Sequence, residues 1–232
     1  MVRIGTAGWA IPKALADRFP KEGSGLERYS KVLDITEINQ TFYRLPRPST
    51  FQKWADSTPE DFRFSVKLHR SFTHFRKLRS TEGLEEFCQT VGHLGKKWHA
   101  LLVQLPPSLN YEPQTVENFL QKLKELYDGH IAIEPRHESW RDAEELLAKL
   151  GVARVAADPP RYQDDSLPGG YRGFAYWRLH GSPKIYYSEY DEQFLRSLAK
   201  KIEEGPSEQV VIFDNTASGA ALKNALELKE LI

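Results

Sequence analysis

Glu134 and His180 each close a strongly apolar run, IAIE in one case and FAYWRLH in the other. A carboxyl and an imidazole in such places are the means of proton transfer, because partial burial and neighbouring charge tune both groups. Lys67, Arg136 and Arg178 stand at comparable positions and add fixed positive charge; the two arginines suit bidentate contact with a carboxylate or phosphate. Glu134, His180 and Lys67 are therefore the catalytic candidates. Each has an ordinary alternative. A glutamate or histidine at a strand end is commonly a hydrogen-bonded structural residue, and the three cations have Glu37, Glu134 and Asp158 as ion-pair partners.

The elements that must position these groups are short apolar runs alternating with amphipathic stretches, the pattern of parallel strands joined by crossover helices. Eight runs are predicted as strands: Arg3 to Ala7, Ile35 to Asn39, Phe62 to Leu68, Ala100 to Leu105, Ile131 to Glu134, Arg154 to Ala157, Phe174 to Leu179 and Val210 to Phe213. Several are apolar almost throughout, as strands covered on both faces are. With 232 residues, this implies an α/β fold of a single domain, a TIM-type (β/α)8 barrel with parallel strands.

Between the runs, Val116, Phe119, Leu120, Leu123 and Leu126 recur at helical spacing, as do Phe194, Leu195, Leu198 and Ile202. Asp191 is placed to cap the second helix, and Gly151 to stop the helix carrying Leu146, Leu147 and Leu150. The stretch from Pro159 to Gly173 is a long loop instead, because its prolines, glycines and charges oppose a regular helix.

In such a barrel the C-terminal strand ends share one rim, where active sites sit. The polar residues gather there: Trp9; Glu37 and Asn39; Lys67 and His69; Gln104; Glu134, Arg136 and His137; Asp158; Arg178 and His180; Asp214 and Asn215. The loops HGSP and NTASGA, after the seventh and eighth runs, lie where barrels of this type usually bind phosphate; Gly219 equally suits close helix packing.

Composition narrows the partners. Lysine plus arginine (32) equals aspartate plus glutamate (32), so no global field draws the chain to nucleic acid or an anionic membrane. A local exception runs from Arg63 to Thr81, with six lysines or arginines, two histidines and no acid. Its interleaved Phe64, Phe72 and Phe75 suit a nucleic-acid backbone, a solvated loop, or in part the core. No apolar run approaches membrane-spanning length, and the expected location is the cytoplasm. The lone cysteine, Cys88, lies on an apolar helix face with Leu84, Phe87, Val91 and Leu94, so it is expected as a small hydrophobe. His69, Glu134, Asp158 and His180 are chemically able to ligate a divalent metal, but without HExxH or a cysteine pair no metal and no cofactor is predicted.

GTAGW (Gly5 to Trp9), TEINQTFYRLP (Thr36 to Pro46), the pair Thr73 and His74, QLPPS (Gln104 to Ser108), EPRHESW (Glu134 to Trp140), WRLHG (Trp177 to Gly181) and FDNTASGAALKNA (Phe213 to Ala225) follow in that order. With these motifs the chain resembles the YecE-like family, a widespread domain of unknown function, along nearly its whole length. The resemblance implies a TIM barrel with a rim cluster and no established reaction. The positions it carries over are Trp9, Glu37, Asn39, Tyr43, Lys67, His74, Gln104, Glu134, Arg136, His137, Trp140, Asp158, Arg178, His180, Asn215 and Asn224. The chain departs from the family pattern at AIPKALADRF after Trp9 and at Asp214, where asparagine is common.

The expectation is an enzyme doing acid/base chemistry on a phosphorylated or other anionic small molecule. Glu134 and His180 would move protons beside Lys67, with Trp9, Glu37, Asn39, Tyr43, His69, His74, Gln104, Arg136, His137, Trp140, Asp158, Arg178 and Asn215 binding substrate. A nucleic-acid-binding or nuclease-like barrel, and a non-catalytic metabolite- or protein-binding barrel, are the alternatives.

Overall fold

The structure is a computed structural model describing residues 1–162 and 166–232. Its strands are β1 (Val2–Ala7), β2 (Ile35–Ile38), β3 (Arg63–Lys67), β4 (Trp98–Gln104), β5 (His130–Glu134), β6 (Val152–Arg154), β7 (Ala156–Asp158), β8 (Gly169–Gly170), β9 (Ala175–Leu179) and β10 (Gln209–Phe213). Neighbours from β1 through β6 pair in parallel, as do β7 with β9, β9 with β10, and β10 with β1. The result is an α/β barrel of the expected type, nearly closed.

The expected count of eight is corrected to ten segments among the described residues. Two of them, β6 and β7, are consecutive pieces of one crossing. The first pairs with β5 and the second with β9, while the Val155 N–H between them donates to the Ile133 carbonyl at 2.9 Å. The other addition is β8, a two-residue strand antiparallel to β6. It belongs to the expected long loop at 159–173, whose described residues form no helix; residues 163–165 lie outside the described part.

Around the sheet lie α1 (Gly25–Ser30), α2 (Gln40–Tyr43), α3 (Pro48–Asp56), α4 (Leu84–Val91), α5 (Pro113–Leu126), α6 (Glu144–Lys149), α7 (Glu192–Glu203) and α8 (Ala220–Leu231). Their ends follow local chemistry. Asp191 Oδ1 accepts from the Phe194 N–H at 2.8 Å to start α7, and Gly151, with φ +67°, follows α6 in the left-handed region that glycine tolerates. On α5, Val116, Phe119, Leu120 and Leu123 are buried against the sheet. Cys88 is buried on α4 and burial pushes its thiol up to about 12, which makes it the expected hydrophobe and no nucleophile.

Side chains two apart on a strand share a face. The set Phe174, Tyr176, Val210, Ile212, Ile35, Ala100, Leu102 and Ala132 belongs to a buried cluster inside the barrel, distinct from the larger one between sheet and helices. The same step carries β9 from Tyr176 to Arg178 and His180, and β10 from Ile212 to Asp214. The interior therefore turns from apolar to charged towards the C-terminal rim. Gly5 on β1 allows close contact, since a Cβ there would lie 1.8 Å from the Ile35 carbonyl oxygen. No helix among the described residues is long and apolar enough to cross a membrane.

Candidate functional site

Arg178 is the centre of the rim. Its side chain is 1% exposed, and its guanidinium reaches three carboxylates from three other strand ends. Glu37 on β2 accepts from Nε at 3.0 Å and from one terminal nitrogen at 2.8 Å, Glu134 on β5 accepts from the other at 3.0 Å, and Asp214 after β10 stands at 2.9 Å. Burial opposes the arginine's charge, but the three carboxylates outweigh it and hold its pKa well above the ordinary value. The donors of Arg178 are thus engaged within the protein.

His180 completes a chain between two of the same acids. Nδ1 is 3.0 Å from Asp214 Oδ2 and Nε2 is 3.0 Å from Glu134 Oε1, with the ring fully buried. Each nitrogen faces a carboxylate, so a doubly protonated ring donates to both. A singly protonated ring satisfies both contacts only if the proton it lacks resides on the facing acid. Burial disfavours charge on Glu134 and Asp214, yet Arg178 and His180 more than offset it and both carboxyls titrate below their ordinary range. Tyr176 extends the network: its hydroxyl donates to Glu37 Oε2 at 2.8 Å and lies 2.8 Å from Ser65 Oγ.

Two cations border this buried chain nearer to solvent. Arg136 donates to Glu134 Oε1 at 3.2 Å, and its buried Nε has no hydrogen-bond partner. Lys67, the last residue of β3, is 8% exposed and places Nζ 4.2 Å above the centre of the Phe42 ring. Burial and then the Arg178 charge lower its pKa to about 8. Phe42 also meets Tyr43 and His74 edge-on, each at 5.0 Å. The His74 ring is 2.9 Å from Thr73 Oγ1, and burial followed by Lys67 lowers its pKa.

The remaining candidates divide between the rim and the scaffold. Gln104 is buried at the end of β4 and donates to the Leu105 carbonyl at 3.3 Å. Asn39, after β2, has a buried Oδ1 with no hydrogen-bond partner. His69 and His137 each accept a backbone N–H from the serine two residues on, Ser71 and Ser139 respectively, and so shape turns after their strands. Trp140 is wholly buried and donates to the Leu109 carbonyl. Asp158 accepts from the Tyr190 hydroxyl at 2.8 Å. Asn215 donates to the Ser188 carbonyl and to Asn224 Oδ1, while Asn224 holds both the N–H and the carbonyl of Tyr190. Trp9 packs edge-on to Trp54 at 5.3 Å on the helical layer, and Tyr43 is 64% exposed.

Asp214, expected at the rim but given no role, and Tyr176 and Ser65, not expected there, complete the network. The two-residue step from Arg178 along β9 is the signal in the sequence that points to Tyr176. Of the four residues chemically able to ligate a divalent metal, Glu134 and His180 meet, whereas His69 and Asp158 are committed to the contacts just given.

A groove of about 760 Å³ lies at the opposite end of the barrel, beside Arg3, Asp34, Asp61 and Arg63. Its lining includes the ion pair of Lys229 with Asp34, both more than a third exposed, whereas the acids and bases of the rim are buried. A smaller cavity of about 180 Å³ opens between the loop after β1 and the start of α8, lined by Ile11, Pro12, Thr216 and Gly219 among others. Gly219 has φ +82°, and a Cβ there would meet Pro12 at 3.2 Å.

The family described as "Protein of unknown function DUF72" matches residues 3–232. The UPF0759 protein YunF of Bacillus subtilis (strain 168) is 24% identical over 267 aligned residues, covering 100% of this chain and 95% of that protein. The UPF0759 protein YecE of Escherichia coli (strain K12) is 29% identical over 167 residues, 68% of this chain and 59% of that protein. A solved DUF72 family protein from Thermotoga maritima MSB8 superposes with a TM-score of 0.77 at 27% identity, covering 100% of this chain and 98% of that one. The match over almost the whole chain, and the fold shared with a solved member, bear out the resemblance carried by the motifs: this chain belongs to the DUF72 family, with the YecE and YunF proteins among its relatives.

Proposed function

We propose that this barrel is an enzyme performing acid/base chemistry on a phosphorylated or otherwise anionic small molecule at its C-terminal rim, in the cytoplasm. The observation that carries this reading is the chain Glu134–His180–Asp214 held on Arg178. An imidazole between two carboxylates passes a proton from one to the other with little movement, and a neighbouring fixed cation keeps the acids ionised between turnovers.

In this reading Arg178 positions the carboxylates, and Lys67 and Arg136 meet the substrate anion. An anion that draws Arg136 away from Glu134 uncovers the carboxylate for the reacting proton, and the unpartnered Arg136 Nε supplies a donor for it. A thermal-unfolding screen with phosphorylated sugars, nucleotides and carboxylates tests the proposal. A ligand at a hundred times its Kd adds about 2.7 kcal/mol, or roughly 5 to 10 °C for a chain of this size. Shifts that survive Arg136→Ala and Lys67→Met unchanged would remove both residues from the anion site.

A second reading, nucleic-acid binding, rests on one surface feature. The Arg70 guanidinium lies 5.4 Å from the Tyr43 ring and 5.3 Å from that of Phe75, and both rings are largely exposed. A cation between two exposed aromatics suits stacking on single-stranded bases. The rest of the basic segment contributes less: Phe64 and Phe72 are core, Arg79 pairs with Glu112, and Arg63 begins β3 at the far end of the barrel. Oligonucleotide affinity that falls steeply with salt and weakens in Arg70→Ala would favour this reading, and a flat salt response would end it.

A further inference from the structure

We propose that His99, His130 and Glu208 form a divalent metal site at the N-terminal mouth of the barrel, taking a borderline cation of the Zn2+ type. The three residues come from separate parts of the ring. His99 is the second residue of β4 and His130 the first of adjacent β5, whereas Glu208 immediately precedes β10 across the barrel. One ligating atom from each lies within 4.8 Å of the other two.

The geometry of the pair across the mouth points to a shared third atom. His99 Nε2 and Glu208 Oε1 are 3.2 Å apart, yet this buried nitrogen makes no hydrogen bond. Nitrogen and oxygen donors on one tetrahedral Zn2+, at about 2.0–2.1 Å from it, stand about 3.3 Å from each other. One edge of a coordination polyhedron is therefore already spaced, and a rotation of His130 brings in the third donor. The His130 ring lies flat against Phe174 at 4.1 Å, which orients it without using its nitrogens.

Local charge permits the exchange. Glu208 now faces the Met1 amine at 3.7 Å and Arg3 Nε at 4.0 Å, contacts that a cation at 2 Å range would replace. Arg3 retains the Asp61 carbonyl oxygen, 3.1 Å from its terminal nitrogen. Two imidazoles and one carboxylate favour Zn2+ or Co2+ over Mg2+ or Ca2+, which prefer an all-oxygen shell. At this face of a barrel an ion serves stability rather than catalysis, and it would clasp β4 and β5 to the segment entering β10.

The test uses the chelator-treated whole chain titrated with Co2+ and then Zn2+. Expected are one Co2+ per chain with the visible absorption of a tetrahedral centre, its loss on Zn2+ addition, and a rise of several degrees in Tm. His99→Asn, His130→Asn and Glu208→Gln should each weaken Co2+ binding by at least the roughly 10- to 100-fold that loss of a supporting contact costs. Uptake should be unchanged in Glu134→Gln, whose carboxamide lies at the other end of the barrel. No uptake by the wild-type chain overturns the proposal, and so does uptake that Glu208→Gln and His99→Asn leave intact.

Discussion

His180 Nε2 stands 3.0 Å from Glu134 Oε1 with both side chains fully buried, and the same ring reaches Asp214 on its other side. A hydrogen-bonded acid and base sealed from water are costly to maintain unless fixed charge compensates them, and Arg178 supplies that charge.

Removing the compensation should be severe. Arg178→Met leaves Glu37, Glu134 and Asp214 clustered without their shared cation, and the expected loss is about 3–5 kcal/mol in urea unfolding. A loss below about 1 kcal/mol would mean that the carboxylates are held by something other than Arg178.

Glu134→Gln keeps the shape and removes the proton acceptor. Ligands found by the thermal screen should still raise Tm in this variant, while turnover falls at least about 100-fold. Turnover at the wild-type rate would take Glu134 out of the mechanism.

Acid should unfold the protein through the same cluster. Glu134 and Asp214 titrate below their ordinary values of 4.5 and 3.8. A depressed carboxyl contributes stability that is complete above its unfolded value and lost as pH falls through the folded one. Stability should thus hold down to about pH 5 and decline below about pH 4, and Asp214→Asn should flatten that decline. Unfolding free energies measured across this range would show a steep wild-type limb if the cluster is responsible.

Lys67 has the opposite effect at the alkaline end. Its pKa falls from 10.5 to about 8, so between those values the unfolded chain binds more protons and stability rises with pH. Below pH 8 the buried charge costs about 3 kcal/mol at most. Lys67→Met should accordingly stabilise the fold at pH 7 by about 1–3 kcal/mol and abolish the alkaline rise, while weakening anion binding. A destabilised variant would show that the amine is a net favourable neighbour of the three carboxylates.

The barrel was legible because its evidence is local and repeated. Each run from Val2 to Phe213 carries its own apolar pattern, so the strands follow from short windows, as does the Asp191 cap. The sixth crossing was less so. Arg154 to Ala157 reads as one run, but its pairing passes from β5 to β9 at Val155, which depends on ring closure rather than on any residue in the run.

The candidate site was legible as a set of residue types at strand ends, and much less as a set of roles. Arg178 and Arg136 look alike in sequence, but one is enclosed by three carboxylates and the other has an unpartnered nitrogen. His69, His137 and His180 all follow strands. Two shape turns with nearby serines, and the third spans two acids contributed by distant strands.

By itself, then, the sequence determined the alternation of strands and helices, the family, and the concentration of charge at one end of the strands, since all three are written in periodicity and motif order. Tertiary structure alone decided which charges meet. Glu37, Glu134 and Asp214 lie 36 to 141 positions from Arg178 along the chain, and only closure of the barrel brings their atoms to about 3 Å of its guanidinium. At that spacing in a buried interior, Coulomb energy and desolvation set the role of each group, and neither can be read from the chain before it closes.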